Sequence, residues 1–278
     1  MHVLGPFAQF PLAAERAYTV EEAPLQLHEA MKRATGLERT VFVQASGHGS
    51  DNRAMLAALA QLGPRARGVA VVDLDAPANA LAAMHAAGVR GLRINFQSMG
   101  ARYAGDAARW LRSFESLVAP FGWHLQLFCN AEMLGALEHA IRDCKAMVII
   151  DHMGLPDTAA GLEQPGFQRV LRLLAHGNVW IKLAGADRIT RASGRLRDAA
   201  PFIRALAQAA PDRAVWGSDW PNIGFHQGKA VHDEAVLPYR QLDAGELLDV
   251  LIEAVPNDAA RHAILVDNPA RLYQFDGR

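Results

Sequence analysis

The chain has 278 residues, enough for one large domain or two small ones, and 51% of them are hydrophobic, which supplies a sizeable core. The formal net charge is only −1 and the 28 basic residues are scattered, so a nucleic-acid or membrane-surface partner is disfavoured. No apolar run reaches the roughly 18–20 residues of a membrane span. The first residues lack the regions of a signal peptide and only two cysteines are present, so we expect a cytoplasmic protein.

Short apolar runs rich in β-branched residues alternate along the chain with longer segments rich in Ala and Leu. This alternation predicts parallel strand–helix units. Strands are predicted at 40–44, 68–72, 91–95, 123–128, 147–151, 179–183 and 214–218, after a short first strand that ends at Val3-Leu4. Helices are predicted at 23–35, 51–62, 77–87, 106–119, 132–143, 166–175, 196–209, 244–254 and 258–266.

Eight strand–helix units close into a barrel, in which the carboxyl ends of all the strands meet on one face. We therefore predict a single α/β domain over residues 1–278, a (β/α)8 TIM barrel with a truncated first strand. An open, doubly wound sheet is the alternative. That fold usually carries a glycine-rich phosphate loop after its first strand, and the sequence contains no such loop.

Two polar side chains stand where predicted strands end. Asp219 follows the eighth strand, counting the short first one, and His152 follows the sixth in a matching context. A lone Asp in such a place more often caps a helix or braces a turn. Because a barrel gathers its strand ends onto one face, the matching His favours a catalytic site instead.

Further polar residues belong to the same predicted face: His2 at the first strand, Ser46 after the second, Arg93 on the fourth and Arg188 in the seventh unit. An Asp can accept a proton from water, and a His can polarise a carbonyl or orient that water. An Arg binds two carboxylate oxygens at once. The combination predicts hydrolysis of an anionic ester or lactone, although Arg93 could pair with a neighbouring acid and Arg188 with Asp187.

Five segments in order carry a more specific signal. They are residues 43–46 followed by Asp51-Asn52, then 88–96, 151–157, 185–189 and 216–221. Together they resemble the amidohydrolase superfamily, in the branch that contains 2-pyrone-4,6-dicarboxylate lactonase and related sugar lactonases. The resemblance spans nearly the whole chain.

This resemblance implies a (β/α)8 barrel that hydrolyses a lactone, with the Asp of the eighth strand activating water. By position that Asp is Asp219. The resemblance also identifies His152 as the His of the sixth strand and His2 as the second His of a His-x-His pair. We expect both to polarise the lactone carbonyl. The positions that contact substrate carboxylates or lactone oxygens are matched by Arg93, Arg188, Ser46 and Tyr18.

The sequence departs from the family pattern in three places. The first His of the His-x-His pair is absent, so either the start is assigned too late or the enzyme works without it. No second Arg follows Arg93 closely, and Arg102 can replace it only if its loop bends inward. Phe128 stands where the pyrone-dicarboxylate lactonase has a Tyr. The substrate is therefore predicted only as a pyrone-dicarboxylate-like or sugar-acid lactone.

A metal site is the main alternative within the superfamily, because many members bind zinc while the lactonase branch is understood to work without it. A catalytic zinc needs about three protein ligands and an open position for water. His2, His152 and Asp219 could supply three at most. The fifth strand ends without a His and the fourth without a bridging acid or Lys, so we expect no metal cofactor.

We therefore expect a metal-independent hydrolase whose partner is a small anionic lactone, with no nucleic-acid or membrane partner and an oligomeric state left open. One rival is a zinc-dependent decarboxylase or hydrolase of the same superfamily. The other is a catalytically inactive barrel that only binds a carboxylate ligand.

Overall fold

Two parallel sheets organise the residues that the computed structural model describes, which are 1–16, 18–97, 106–225 and 235–275. The smaller sheet pairs β1 (Thr19–Val20) with β9 (Val236–Leu237). The larger sheet has seven strands, whose order in space is their order in the chain. They are β2 (Thr40–Val43), β3 (Ala66–Ala70), β4 (Val89–Asn95), β5 (His124–Phe128), β6 (Val148–Ile150), β7 (Val179–Leu183) and β8 (Ala214–Trp216).

Helices connect the strands and cover the outside of the larger sheet. They are α1 (Leu25–Thr35), α2 (Arg53–Leu62), α3 (Ala78–Ala86), α4 (Ala107–Val118), α5 (Ala131–Asp143), α6 (Pro165–Leu174), α7 (Ala186–Ile189), α8 (Ala200–Ala209), α9 (Ala244–Ala254), α10 (Asp258–His262) and α11 (Asn268–Leu272). In α6 the buried Phe167, Val170 and Leu174 recur at helical spacing and face the core. None of the described helices is long and apolar enough to cross a membrane.

The first residues of the chain close the seven-stranded sheet into a barrel. The His2 amide donates to the Trp220 carbonyl just beyond β8, at 2.8 Å. On the other side, the Val43 amide of β2 donates to the Met1 carbonyl, also at 2.8 Å. The extended segment at 1–3 therefore joins the two edge strands as a short first strand. The predicted (β/α)8 barrel with a truncated first strand is confirmed.

One predicted strand is displaced as a whole. The sequence pattern placed it at 68–72, whereas β3 ends at Ala70. The cause is Asn52, whose Oδ1 accepts from the Val71 amide at 3.1 Å and whose Nδ2 donates to the Val71 carbonyl at 2.8 Å. Because this side chain occupies both backbone groups of Val71, the strand ladder ends earlier than the hydrophobic run does.

A glycine on β4 makes room for a buried histidine at the amino end of the barrel. Gly91 lies opposite His124 of β5, whose ring is fully buried. A Cβ added at Gly91 would lie only 2.2 Å from two atoms of that ring. Burial lowers the pKa of His124 to about 3, so the ring is neutral at physiological pH.

We expect Gly91→Ala to destabilise the barrel by about 1–3 kcal/mol, the usual cost of overpacking a core. The matched control is Gly177→Ala, because a Cβ at Gly177 meets nothing within 4 Å and its backbone needs no positive φ. Urea unfolding of both variants measures the difference. Equal free energies of unfolding for Gly91→Ala and the parent protein would show that the His124 ring can move aside.

Candidate active site

A cavity of about 190 Å³ lies at the carboxyl ends of the barrel strands. It collects residues that are far apart in the sequence, because the barrel brings the ends of its strands together. Its lining includes all the predicted site residues that the structure describes, namely His2, Tyr18, Ser46, Arg93, His152, Arg188 and Asp219. Arg102, the remaining predicted residue, lies outside the described residues.

Asp219 is the buried centre of this cavity. Its Oδ2 accepts hydrogen bonds from Arg188 Nε at 2.9 Å and from Arg188 Nη2 at 2.7 Å. Its Oδ1 lies 3.7 Å from His2 Nε2 and 3.7 Å from His152 Nε2. One carboxylate oxygen is therefore neutralised by a guanidinium, and the other faces two imidazoles.

The backbone around both Asp219 and His152 is held in the left-handed region. Asp219 has a φ of 56°, and His152 and Met153 follow β6 with φ values of 47° and 57°. Non-glycine residues rarely adopt this conformation, and they do so mainly where the surrounding structure requires it. Here it turns the side chains that follow β6 and β8 toward the same point, which a regular strand or helix would not achieve.

The two imidazoles carry their protons on different nitrogens. His2 Nδ1 lies 2.8 Å from the Val43 carbonyl, which can only accept, so Nδ1 bears the proton and Nε2 is bare. His152 Nδ1 is buried, finds no hydrogen-bond partner among the described residues and faces Gly185. Its Nε2 instead faces carboxylate oxygens of Asp151, at 3.8 Å, and of Asp219. The neutral His152 therefore carries its proton on Nε2.

Burial and the neighbouring charges together set the protonation of His2, His152 and Asp219. It lowers the pKa of both His2 and His152 to about 4, so both rings are neutral near pH 7. Burial also acts to raise the pKa of Asp219, but the charges of Arg188 and the other neighbours overcome it and hold that pKa well below its usual value. The site thus presents a permanent carboxylate between a bare imidazole nitrogen and an imidazole N–H.

Arg93 forms the inner wall of the cavity. Its Nη1 donates to the Gln44 carbonyl at 3.2 Å and to Ser46 Oγ at 3.3 Å, and Asn95 Nδ2 donates to the same Oγ at 2.8 Å. The guanidinium carbon lies 5.4 Å from the centre of the Phe128 ring. Arg93 Nε is buried and lacks a hydrogen-bond partner among the described residues, so the guanidinium retains a donor for an anionic ligand.

Beneath the cavity, three polar side chains of the barrel interior form a closed network. Lys182 Nζ donates to Gln126 Oε1 at 2.7 Å and lies 3.3 Å from Asp151 Oδ1. Gln126 Nε2 donates to Asp151 Oδ2 at 2.6 Å. Burial tends to neutralise Lys182 and Asp151, but each offsets the charge of the other, as a buried pair requires. The ammonium group thus supports the carboxylate that lies beside His152.

Arg240 also reaches the site, although no feature of the sequence pointed to it. Its Nε lies 2.6 Å from Asp187 Oδ2, and its Nη2 lies 3.4 Å from Asp219 Oδ2. Arg188 therefore pairs with Asp219, while Asp187, its neighbour in the sequence, pairs with Arg240. Arg240 arrives from a segment that an isolated bridge between Ile223 and Tyr239 holds next to β8. Such tertiary placement leaves no local sequence signal.

The possible metal ligands of the cavity are His2, His152 and Asp219. Within the described parts of the chain, no three His, Cys, Asp or Glu side chains are arranged to hold a metal. Asp219 has one oxygen committed to Arg188, and Lys182 already supplies the positive charge beside Asp151. The guanidinium of Arg93 adds a further cation that opposes a divalent ion in the same cavity.

Comparison with known proteins assigns the chain to a family. A family model described as amidohydrolase matches residues 1–275. The chain belongs to the amidohydrolase family. It is 36% identical to a 4-sulfomuconolactone hydrolase of Rhizobium radiobacter over 273 residues, which cover 98% of this chain and 88% of that protein. It is 34% identical to a 2-pyrone-4,6-dicarboxylate hydrolase of Comamonas testosteroni over 281 residues, again covering 98% and 88%.

A solved structure of the same family has the same architecture over its whole length. It is a crystal structure titled as a putative 2-pyrone-4,6-dicarboxylic acid hydrolase from Pseudomonas putida, 30% identical to this chain. The two superpose with a TM-score of 0.83, covering 100% of this chain and 96% of that one. The predicted resemblance to the pyrone-dicarboxylate lactonase branch of the amidohydrolases is therefore confirmed.

We expect Arg188→Gln to raise the pKa of Asp219 by about 1–3 pH units, because burial then acts on a carboxylate that has lost its main counter-charge. A ¹³C NMR titration of labelled aspartate carboxyl groups measures this pKa, and the signal is assigned by its absence from Asp219→Asn. Arg195→Gln is the matched control, since Arg195 pairs with Asp198 at the surface. An unchanged titration in Arg188→Gln would contradict the dominant role of this ion pair.

Proposed function

We propose that this protein hydrolyses a small lactone that carries at least one anionic group, with Asp219 as the base that activates water. The observation that carries the proposal is the position of Asp219 Oδ1, 3.7 Å from the bare His2 Nε2 and 3.7 Å from His152 Nε2. The relatives support the substrate class, because two are named as hydrolases of a sulfomuconolactone and of a pyrone dicarboxylate.

The attacking water is held by two acceptors. It can donate one hydrogen bond to Asp219 Oδ1 and the other to His2 Nε2, which leaves its lone pair for the lactone carbonyl carbon. His2 was also a candidate for polarising the carbonyl. A ring that keeps its proton on Nδ1 for the Val43 carbonyl has no donor at Nε2, so we assign it to the water instead.

The carbonyl oxygen meets the donors of the site. As the water oxygen bonds to the carbonyl carbon, negative charge develops on the carbonyl oxygen, where His152 Nε2–H and the Arg93 guanidinium can stabilise it. The water proton passes to Asp219 and then to the ring oxygen, whose bond to the carbonyl carbon breaks. The product is an open chain with one additional carboxyl group, which becomes a carboxylate when it releases the second water proton to solvent.

The remaining predicted site residues bind the substrate in this scheme. Burial raises the pKa of Tyr18, so its phenol stays protonated and can donate to a lactone or carboxylate oxygen. Ser46 holds Arg93 and Asn95 at the cavity wall. Arg188 keeps Asp219 ionised and, from the same cavity lining, can contact a substrate anion with the part of its guanidinium that does not face Asp219.

We place the protein in the cytoplasm in this proposal. Cys129 and Cys144 are buried free thiols, and burial raises the pKa of each to about 12, so neither is a reactive thiolate. Unpaired, unreactive cysteines suit a reducing compartment.

Asp219→Asn tests the assigned base. We expect the variant to keep its fold and to lose roughly 10²–10⁴-fold in turnover, the usual contribution of acid–base catalysis. Steady-state hydrolysis of a carboxylated lactone measures the loss, and urea unfolding checks the fold. Turnover close to that of the parent protein would reject Asp219 as the base. A parent protein that is stabilised by the lactone without hydrolysing it would favour the inactive carboxylate-binding barrel.

Metal removal tests the mechanism independently of the choice of base. Because one oxygen of Asp219 is bonded to Arg188 and the lining already holds the cations Arg93 and Arg188, we expect protein treated with a strong chelator, and shown to be metal-free by elemental analysis, to retain its kcat/KM. Protein treated with the chelator already saturated with zinc is the control. Activity that disappears on stripping and returns with zinc would make the zinc-dependent hydrolase the better reading.

A further inference from the structure

A second arginine–aromatic pair lies in the lining of the same cavity. The Arg191 guanidinium stands 4.2 Å from the centre of the Phe225 ring, and both residues belong to the lining. Both are also exposed, unlike the buried Asp219, so they form the outer rim of the site. Neither residue was singled out by the sequence, because an exposed arginine shortly after a helix looks like ordinary surface.

Arg191 differs from the other guanidinium groups that surround Phe225. Arg188 and Arg240 lie 6.0 Å and 4.6 Å from the same ring, but their charges are balanced by Asp219 and Asp187. Arg191 forms no ion pair or hydrogen bond with the residues that the structure describes. Its positive charge therefore remains available at the mouth of the cavity.

The charge balance of the cavity indicates two separate binding sites for anionic groups. Asp219 is the only acid among the described residues of the lining, and it is already paired with Arg188. Within the described residues, Arg93 on the inner wall and Arg191 on the rim have no acidic partner. The guanidinium carbon of each lies over an aromatic ring, that of Phe128 or Phe225, so the ring covers one face of the group. Arg93 Nη1 is already bonded to the Gln44 carbonyl and Ser46 Oγ, whereas Arg191 has no hydrogen bond to the described residues.

Arg188 and Arg191 are close in the sequence but reach different depths of the cavity. Arg188 lies within α7, which begins directly after β7 and its Gly185 turn, and its side chain points to Asp219. Arg191 follows two residues after the end of α7 and reaches the rim instead. How far an anion lies from the scissile ester therefore depends on whether it contacts Arg188 or Arg191.

We propose that Arg191 is a specificity-determining residue that binds a second anionic group of the substrate, remote from the ester bond. This inference rests on the proposed lactone hydrolysis and adds the residue that binds the outer anionic group of the substrate. Because the anion-binding site at Arg191 is exposed and contacts the anionic group through N–H donors, it can bind a flat carboxylate or a tetrahedral sulfonate.

The test compares Arg191→Met with the parent protein on three probes: 2-pyrone-4,6-dicarboxylate and the two corresponding monocarboxylates. Methionine keeps an unbranched side chain over Phe225 and removes the charge. We expect kcat/KM for the dicarboxylate to fall about 10-fold, the usual weight of one charge-assisted contact, and mainly through KM. The monocarboxylate that lacks the outer group should be affected less than two-fold. Arg191→Lys should recover part of the loss.

Arg195→Met is the matched control, because Arg195 is an exposed arginine a few residues further on that pairs with Asp198 away from the cavity lining. It should behave like the parent protein on all three probes. Equal losses of Arg191→Met on all three probes, or no loss on the dicarboxylate, would overturn the inference.

A binding measurement separates failure of this inference from failure of the proposed function. Isophthalate and benzoate are flat anions, with two carboxylates and one, that cannot be hydrolysed. Calorimetry should show that the parent protein binds isophthalate more tightly and that Arg191→Met loses this preference. If the parent protein hydrolyses no lactone but shows this preference for isophthalate, the proposed function is wrong and the anion-binding site at Arg191 is supported. If Arg191→Met keeps the preference for isophthalate, Arg191 does not bind the second anionic group, whether or not the protein hydrolyses lactones.

Discussion

The ion pair between Arg188 and Asp219 is the interaction on which the arrangement of the site depends. A carboxylate buried at the end of β8 cannot stay ionised without a partner, since desolvation favours its neutral form. Arg188 supplies two hydrogen bonds to a single oxygen and so also fixes the orientation of the group. The other oxygen is left facing the two imidazoles. One contact therefore decides both the charge and the direction of the proposed base.

The rest of the site is built by balancing buried charges in pairs. Asp151 is matched by Lys182 and Gln126 beneath the cavity, and Asp187 by Arg240 beside it. These pairs leave the imidazoles neutral and the base ionised without leaving a buried acid unmatched. Among the described residues of the lining, the charges that lack an acidic partner are positive. The cavity therefore has a net attraction for anions that arises from its lining, although the whole chain is almost neutral.

Much of this could be predicted from the sequence, for a physical reason. In a parallel barrel the site lies at the ends of the strands, so predicting the strands was enough to bring six predicted residues to one cavity, while Tyr18 was assigned by the family resemblance alone. Pairing between loops was not predictable in this way. Whether Arg188 meets Asp187 or Asp219 depends on how α7 leaves β7, and Arg240 arrives from a distant segment. The tautomers of His2 and His152 are likewise set by a backbone carbonyl and by a glycine, which no periodicity encodes.

The closure of the barrel gives His2 two tasks at once. Its amide joins the segment at 1–3 to the chain beyond β8, while the carbonyl of Val43 on β2 holds its ring. The backbone contact that closes the barrel and the imidazole that binds the water thus belong to one residue. Any fluctuation that breaks this backbone contact also displaces His2 Nε2, which faces Asp219. For this enzyme the closure of the barrel and the chemistry would fail together, so selection for activity also acts on the integrity of the fold.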